Sequence, residues 1–308
     1  MFNLLRADLW RFFNTSRLRG QFWSYLAGIV ALALLMFGLI SFTSSDAYAS
    51  LANTMDSEAV AEDLGVPAFL SSVTSMLADT FISGGLFALL CSLCAAECAL
   101  SDLKAGYLKN IVSSTRGKLA YFAEKLVFCS VTSAVLLLTL TASCLLCALA
   151  FQIPPAEEPV ARILGWLALT WLNGCAFAFL ATAAVWIVRN PAMAYIWAII
   201  LSTGVLRELL MGLAYSSGGV LRVLQPVAPV LKGISSWMPS AGMQLLGNGG
   251  AVLDMPMAVD GVSIFEHVNA AGTVHPCCAS VQVLIISVAW MAIATALGLT
   301  VAQKMDVA

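Results

Sequence analysis

Long uninterrupted apolar runs limit what this chain can fold into. Its mean hydropathy is +0.91 and only 10% of its residues are charged, whereas roughly a quarter are charged in soluble domains. The runs are continuous, and about 20 residues cross the hydrocarbon of a bilayer as a helix. The sequence therefore predicts an all-α membrane protein with six transmembrane helices, at residues 22–42, 81–100, 122–150, 162–188, 191–213 and 281–303.

The placement of charge predicts the orientation. Eleven of the fifteen Lys and Arg lie at the ends of the spans that face the same side as the two termini. Because cytoplasmic loops are enriched in Lys and Arg, we expect both termini in the cytoplasm. A cleaved signal peptide ending near Ala47-Tyr48-Ala49 is the alternative for span 1. The apolar run of about 21 residues, however, is longer than the apolar region of a signal peptide, which has 7 to 15 residues.

The N-terminal residues 1–21 combine aromatic side chains with arginines. Trp10 stands beside Arg11, and Arg17 and Arg19 follow. Aromatic rings favour the headgroup zone and Arg favours anionic lipid, so this segment is predicted to be an interfacial amphipathic helix that anchors the chain to membrane lipid. A positive flank that only sets orientation is the simpler interpretation. Residues 22–308 are predicted to form a single six-span domain.

Two longer segments are predicted to lie outside the cell, at 43–80 and 214–280. Part of the first, residues 59–78, could extend span 2 as a helix. The second is rich in Gly and Pro yet too apolar for a solvent loop, which favours a broken or re-entrant segment before the last span. Arg189-Asn190 before Pro191 predicts a tight turn between spans 4 and 5. Asn173 is expected to bond between helices.

The cysteines and the ionisable residues within the spans do not predict a metal site or an ion pathway. Cys91, Cys94 and Cys98 share a helix face near Glu97, which could suggest a metal site, but seven of the nine cysteines lie in apolar spans and are expected to be packing residues. No metal is expected. Cys277 and Cys278 lie outside, where a disulfide to a partner is possible. Arg207-Glu208 is interpreted as an interfacial anchor rather than an ion relay.

The cytoplasmic stretch 101–118 is the most distinctive. Residues 97 to 126 hold five of the fifteen Lys and Arg. Ser101 is predicted to cap a short amphipathic helix, and a second helix from Lys118 to residue 150 would be roughly 50 Å long, against hydrocarbon about 30 Å thick. A basic loop that fixes topology is one interpretation. A docking element for a cytoplasmic partner is the other, and it accounts better for the projecting helices.

The residues of this stretch resemble a motif of the ABC type 2 exporter permeases. The matching residues are Glu97, Gly106, Leu108, Lys109, Asn110, Ser113, Ser114, Arg116 and Lys125. Ser114-Thr115 departs from many relatives, which have Pro there. The six spans, the basic N-terminus and the broken outer segment are also similar to that family.

The resemblance implies that the stretch is a coupling helix seated on a separate ATP-binding subunit. The residues expected to make that contact are Asp102, Lys104, Gly106, Tyr107, Lys109 and Arg116, with Glu97 and Lys125 as supporting motif residues. ATP and Mg would be bound by the partner, because no G-x-x-x-x-G-K-[ST] motif occurs here. No cofactor is expected on this chain.

The same resemblance implies a multi-pass permease of a bacterial cell membrane that is not itself an enzyme. A second permease subunit, identical or related, would complete the path, and the cargo would be an antibiotic peptide, a drug or a lipid. No nucleic acid partner is expected.

Two alternatives stay open at this stage. A non-transporting membrane scaffold or sensor accessory would share these features without coupling to an ATPase. An intramembrane CAAX-type protease is suggested by Glu157-Glu158 and Arg162, which match E-E-x-x-x-R. That chemistry also needs histidines from later spans, whereas the only two, His267 and His275, lie in an outer segment.

Overall fold

The chain folds into packed α-helices in a computed structural model, which describes residues 6, 10, 14, 16–43, 72–104, 115–153, 155–216, 226–255 and 278–304. No β-strand is formed within these ranges. The helices are α1 Ser16–Thr43, α2 Val73–Leu77 with a π-helical continuation Ala78–Ile82, α3 Leu86–Lys104, α4 Thr115–Ala150, α5 Val160–Val188, α6 Pro191–Ser202, α7 Val205–Ser216, α8 Ala228–Ser236, α9 Pro239–Leu246, a 3-10 turn Gly249–Leu253, and α10 Ala279–Lys304.

Four of these helices are long and apolar enough to cross a membrane: α1, α4, α5 and α10. Two further spans are possible as bent pairs, α2 with α3 and α6 with α7, each bent by 57°. The four to six candidate spans coincide with the six predicted apolar segments. Residues 73–78 of the predicted extension of span 2 (59–78) are helical, but the segment Val73–Ile82 to which they belong is set at an angle to α3.

The two bends lie against each other. Gly85 and Gly204 have φ of +76° and +72°, a left-handed conformation that favours glycine because it has no Cβ. A Cβ on Gly85 would also lie 2.9 Å from the carbonyl oxygen of Ser202 at the end of α6. Close approach of the two breaks therefore requires glycine at position 85.

The predicted turn between spans 4 and 5 is confirmed. Arg189 ends α5 with φ of 54°, and the Asn190 side chain accepts a hydrogen bond from the Ala192 N–H at 3.0 Å. Pro191 occupies the first turn of α6, where its missing N–H costs nothing. A left-handed cap and an Asn N-cap thus reverse the chain within two residues.

Helix α5 lies at the centre of the bundle and packs against α3, α4, α6, α9 and α10. Of the residues in its most apolar 18-residue stretch, 67% are buried inside the protein, compared with 17% for α1. Asn173 is buried in α5 and donates from Nδ2 to Pro239 O at 3.3 Å and to Ser287 Oγ at 3.4 Å. The prediction that Asn173 bonds between helices is confirmed.

The described part of the predicted outer segment, residues 226–255, is broken into short helices as the Pro and Gly pattern indicates. Helix α9 is largely buried, and the Trp166 indole of α5 donates to Leu246 O at its end, at 3.0 Å. This segment therefore packs as part of the protein core.

Two expectations near the 101–118 stretch are wrong in detail. Ser101 does not begin a helix: α3 continues to Lys104, and the Ser101 hydroxyl donates back to Cys98 O at 2.8 Å. The next described helix begins at Thr115, three residues before the predicted start near Lys118. In both cases the apolar helix continues into its polar flank, since nothing there stops the backbone hydrogen bonding.

Candidate functional site

A buried ion pair joins the end of α3 to the N-terminal third of α4. Lys125 Nζ lies 2.6 Å from Asp102 Oδ2, and the two residues are 4% and 2% exposed. Burying two charges costs several kcal/mol each, and only a close, well-bonded partner offsets that cost. The pair therefore fixes one arrangement of α3 against α4.

An aromatic shell surrounds this pair. The Tyr121 hydroxyl donates to Asp102 Oδ2, and Lys125 Nζ lies 5.2 Å from the Tyr121 ring centroid and 5.8 Å from that of Phe128. Tyr121 in turn packs on Trp186 of α5, with centroids 5.7 Å apart. We call Asp102, Tyr121 and Lys125 the clamp, and the end of the bundle that contains it the Lys125 end.

A second bond ties α3 to α6 at the same end. The Tyr195 hydroxyl donates to Glu97 Oε1, and α6 begins four residues earlier, directly after the turn at Arg189. Helix α3 is thus bonded through carboxylates to both α4 and α6. A displacement of the α3 terminus would be transmitted to both helices, because each carboxylate of α3 is bonded to a side chain of the neighbouring helix.

The predicted ATPase-contact residues have different positions. The Asp102 side chain is buried and forms an ion pair with Lys125. Lys104 and Arg116 are described only as helical backbone. Gly106, Tyr107 and Lys109 lie outside the described residues.

The supporting motif residues Glu97 and Lys125 are both engaged in the bonds above. Sequence reasoning missed their partners Tyr121 and Tyr195. The spacing of Tyr121 and Lys125, four residues apart on one helix face, could have indicated the first of these.

The predicted interfacial anchor is described only in part. Trp10 is helical and 66% exposed, and Arg19 is exposed in α1. Arg17 is described as helical backbone, and Arg11 lies outside the described residues.

A polar network closes the opposite end, which we call the Glu158 end. Glu158 accepts hydrogen bonds from the Thr74 backbone N–H at 3.0 Å and from Thr74 Oγ1 at 2.8 Å. Thr74 Oγ1 also accepts from the Gly250 N–H at 2.6 Å. A Cβ on Gly250 would lie 2.3 Å from Glu158 Oε1, so a larger residue would displace the Glu158 side chain from this network. Three separate segments meet at Thr74.

The same network uses the residues that suggested a protease. Glu158 binds Thr74, and Arg162 pairs with Asp254. These contacts hold residues 249–254 against the start of α5. His267 and His275 lie outside the described residues, so the water-activating geometry of a protease has no support among the described ones.

Replacing Thr74 with Val is expected to lower the free energy of unfolding by about 2 kcal/mol, because a fully buried hydroxyl that both donates and accepts is lost. Unfolding by SDS titration in mixed micelles measures this. Thr300→Val is the matched control, since Thr300 is exposed and bonds only to Leu297 O of its own helix. Equal stabilities for the two variants would contradict a structural role for Thr74.

The cysteines of the described helices pack as small apolar residues. Cys91, Cys94, Cys98, Cys129, Cys144, Cys147 and Cys175 are buried and unbridged. No group of three or more potential metal ligands occurs among the described His, Cys, Asp and Glu.

The Lys125 end therefore offers the most specific candidate site, because the clamp joins the two helices that enter and leave residues 105–114. A scan against protein-family models gives no match. A search of the curated proteins gives none either.

Proposed function

We propose that this chain is the membrane-spanning permease subunit of an ABC exporter, which couples ATP hydrolysis by a separate subunit to export of a hydrophobic or amphipathic substrate. The observation that carries the proposal is the clamp. Asp102 and Lys125 lie on the helices that enter and leave the 105–114 connection, and they are bonded to each other at 2.6 Å. A partner that moves this connection would move α3 and α4 as one body.

The bonds at the Lys125 end support a route for that movement. Helix α3 is bonded to α6 through Glu97 and Tyr195, and α3 and α6 each adjoin a bend of 57°. Bends formed at glycines can absorb a change of angle without breaking a long helix. ATP-driven displacement would then be converted into a change at the two touching bends.

The transport path lies between two such subunits in this proposal, identical or related. ATP and Mg are bound by the ATPase partner, and the Lys125 end faces the cytoplasm of a bacterial cell. The residues expected at the ATPase are Lys104, Gly106, Tyr107, Lys109 and Arg116, while Asp102 acts indirectly by holding the flanks of the connection.

The test is Lys109→Glu in the full chain, purified from native membranes and assayed for a copurifying ATP-binding subunit and its ATP hydrolysis. We expect the wild-type chain to bring down such a subunit and the variant to lose most of it, since the charge is reversed at the docking contact. Lys232→Glu is the matched control, because Lys232 lies in α8, outside the 101–118 stretch.

Two results would count against the exporter. Wild-type chain that copurifies no ATP-binding subunit removes its main support. A chain that binds the subunit without altering its ATP hydrolysis indicates the scaffold or sensor accessory instead.

A further inference from the structure

A cavity of about 230 Å³ lies toward the Glu158 end, between α7, α8, α9 and α10. Its lining includes Arg207, Ser236, Gln244, Asn248 and Gln282. Apolar helices rarely enclose so many polar groups without a polar occupant.

Gln282 lines this space and carries a buried acceptor that has no hydrogen bond among the described residues. The residue is 1% exposed, and its Nε2 donates to Ser236 O at 3.4 Å. Its Oε1 is buried and accepts no hydrogen bond. An unsatisfied buried carbonyl is costly, so the position suits a ligand that donates a hydrogen bond.

Arg207 supplies an open donor on the other side. Its NH1 lies 2.7 Å from Glu208 Oε1, and Gln244 donates to the same oxygen at 3.3 Å. The Arg207 Nε is buried with no acceptor. A guanidinium with a free N–H favours a phosphate or carboxylate oxygen.

The balance of charge in the cavity limits which class of ligand can bind. Arg207 and Glu208 already neutralise each other, so a bound phosphate would leave one negative charge in excess. An ammonium on the same ligand restores neutrality and donates to Gln282 Oε1. The cavity is smaller than the roughly 300 Å³ to 1,000 Å³ of drug-sized sites, which suits a headgroup. Leu206, Leu209 and Ile234 on the adjoining helices are exposed and apolar, as acyl chains require.

We propose that this cavity binds the phosphoethanolamine headgroup of a membrane phospholipid. The phosphate accepts from Arg207 Nε and the ammonium donates to Gln282 Oε1. The site goes beyond the export function and needs no ATPase partner.

The test uses the purified full chain in detergent micelles containing phosphatidylethanolamine, phosphatidylglycerol or phosphatidylcholine, with bound lipid counted by native mass spectrometry. Choline donates no hydrogen bond, so we expect phosphatidylethanolamine to bind roughly tenfold more tightly than phosphatidylcholine. Arg207→Gln is expected to weaken binding about tenfold or more, whereas Arg207→Lys retains most of it.

Gln282→Met separates binding from folding. Without lipid the variant should be close to the wild type in stability, because loss of the Nε2–Ser236 O hydrogen bond is offset by removal of the unsatisfied Oε1, but its preference for ethanolamine over choline should disappear. Arg189→Gln is the control, since Arg189 is exposed and does not line the cavity.

Several outcomes would overturn the proposal. If phosphatidylcholine binds equally well, or if Gln282→Met keeps the preference for ethanolamine, the ligand does not donate a hydrogen bond to Gln282. If phosphatidylglycerol binds equally well, the site does not recognise an ammonium group. Soluble phosphoethanolamine should compete with the lipid. If the soluble compound binds and the lipid does not, the ligand is a free phosphoester and the lipid assignment is wrong.

Discussion

Lys125→Met is expected to lower the free energy of unfolding by about 3–5 kcal/mol, the usual cost of removing one partner of a buried ion pair. The substitution preserves much of the side-chain volume but takes away the ammonium 2.6 Å from Asp102 Oδ2. It also removes the cation that lies over the Tyr121 and Phe128 rings. SDS titration in mixed micelles, followed by tryptophan fluorescence, measures the loss.

A double-mutant cycle separates the ion pair from general packing. Asp102→Asn alone should also destabilise the fold, whereas Asp102→Asn with Lys125→Met should recover most of the loss, because a neutral amide costs far less to bury than an uncompensated carboxylate. Arg189→Gln removes an exposed cation and should leave stability within about 0.5 kcal/mol. Additive single effects would show that Asp102 and Lys125 do not depend on each other.

The apolar segments of the fold could be predicted from the sequence because a membrane allows few alternatives. A continuous run must satisfy its backbone internally, so length and hydropathy indicate a helix. The helices between 160 and 202 show this well. Pro159, Arg189-Asn190 and Pro191 mark the boundaries of α5 and α6, and the structure ends and begins the helices there.

The bends could not be predicted from hydropathy alone. The run 191–213 carries no charge before Arg207, yet the chain turns at Gly204, where Gly85, in the break before α3, meets the end of α6. The signal available was the presence of glycine within each run. Whether a glycine in an apolar helix bends depends on its neighbours in space, which the sequence does not order.

The candidate site shows the same limit. Glu97, Asp102 and Lys125 are visible as rare charges beside apolar runs, and a charge near a predicted cytoplasmic stretch is normally assigned to water or a partner. Asp102 instead faces inward, because the continuation of α3 brings its carboxylate to Lys125. Successive side chains on a helix differ in direction by about 100°. Predicting which way Asp102 faces would therefore require placing α3 to within one residue, which is finer than boundaries read from sequence allow.

Close packing beside the clamp gives the second large effect. Gly298 of α10 faces Phe122 of α4 so closely that a Cβ would lie 1.8 Å from the ring Cζ. Phe122 is fully buried and makes an edge contact with Trp186, with centroids 5.6 Å apart. The ring therefore has little room to move, and α10 can approach α4 only through glycine.

Gly298→Val is expected to lower the free energy of unfolding by about 3 kcal/mol, near the upper end for overpacked cores. SDS titration measures it against Gly28→Val in α1, where a Cβ meets nothing within 4 Å and the substitution should have little effect on stability. Adding Phe122→Ala makes room for the new side chain, so the double variant should be more stable than the sum of the single losses predicts. Strict additivity, or equal losses at positions 28 and 298, would show that the approach of α10 to α4 does not limit the fold. Recovery in the double variant would locate the constraint at the contact between Gly298 and Phe122, beside the clamp.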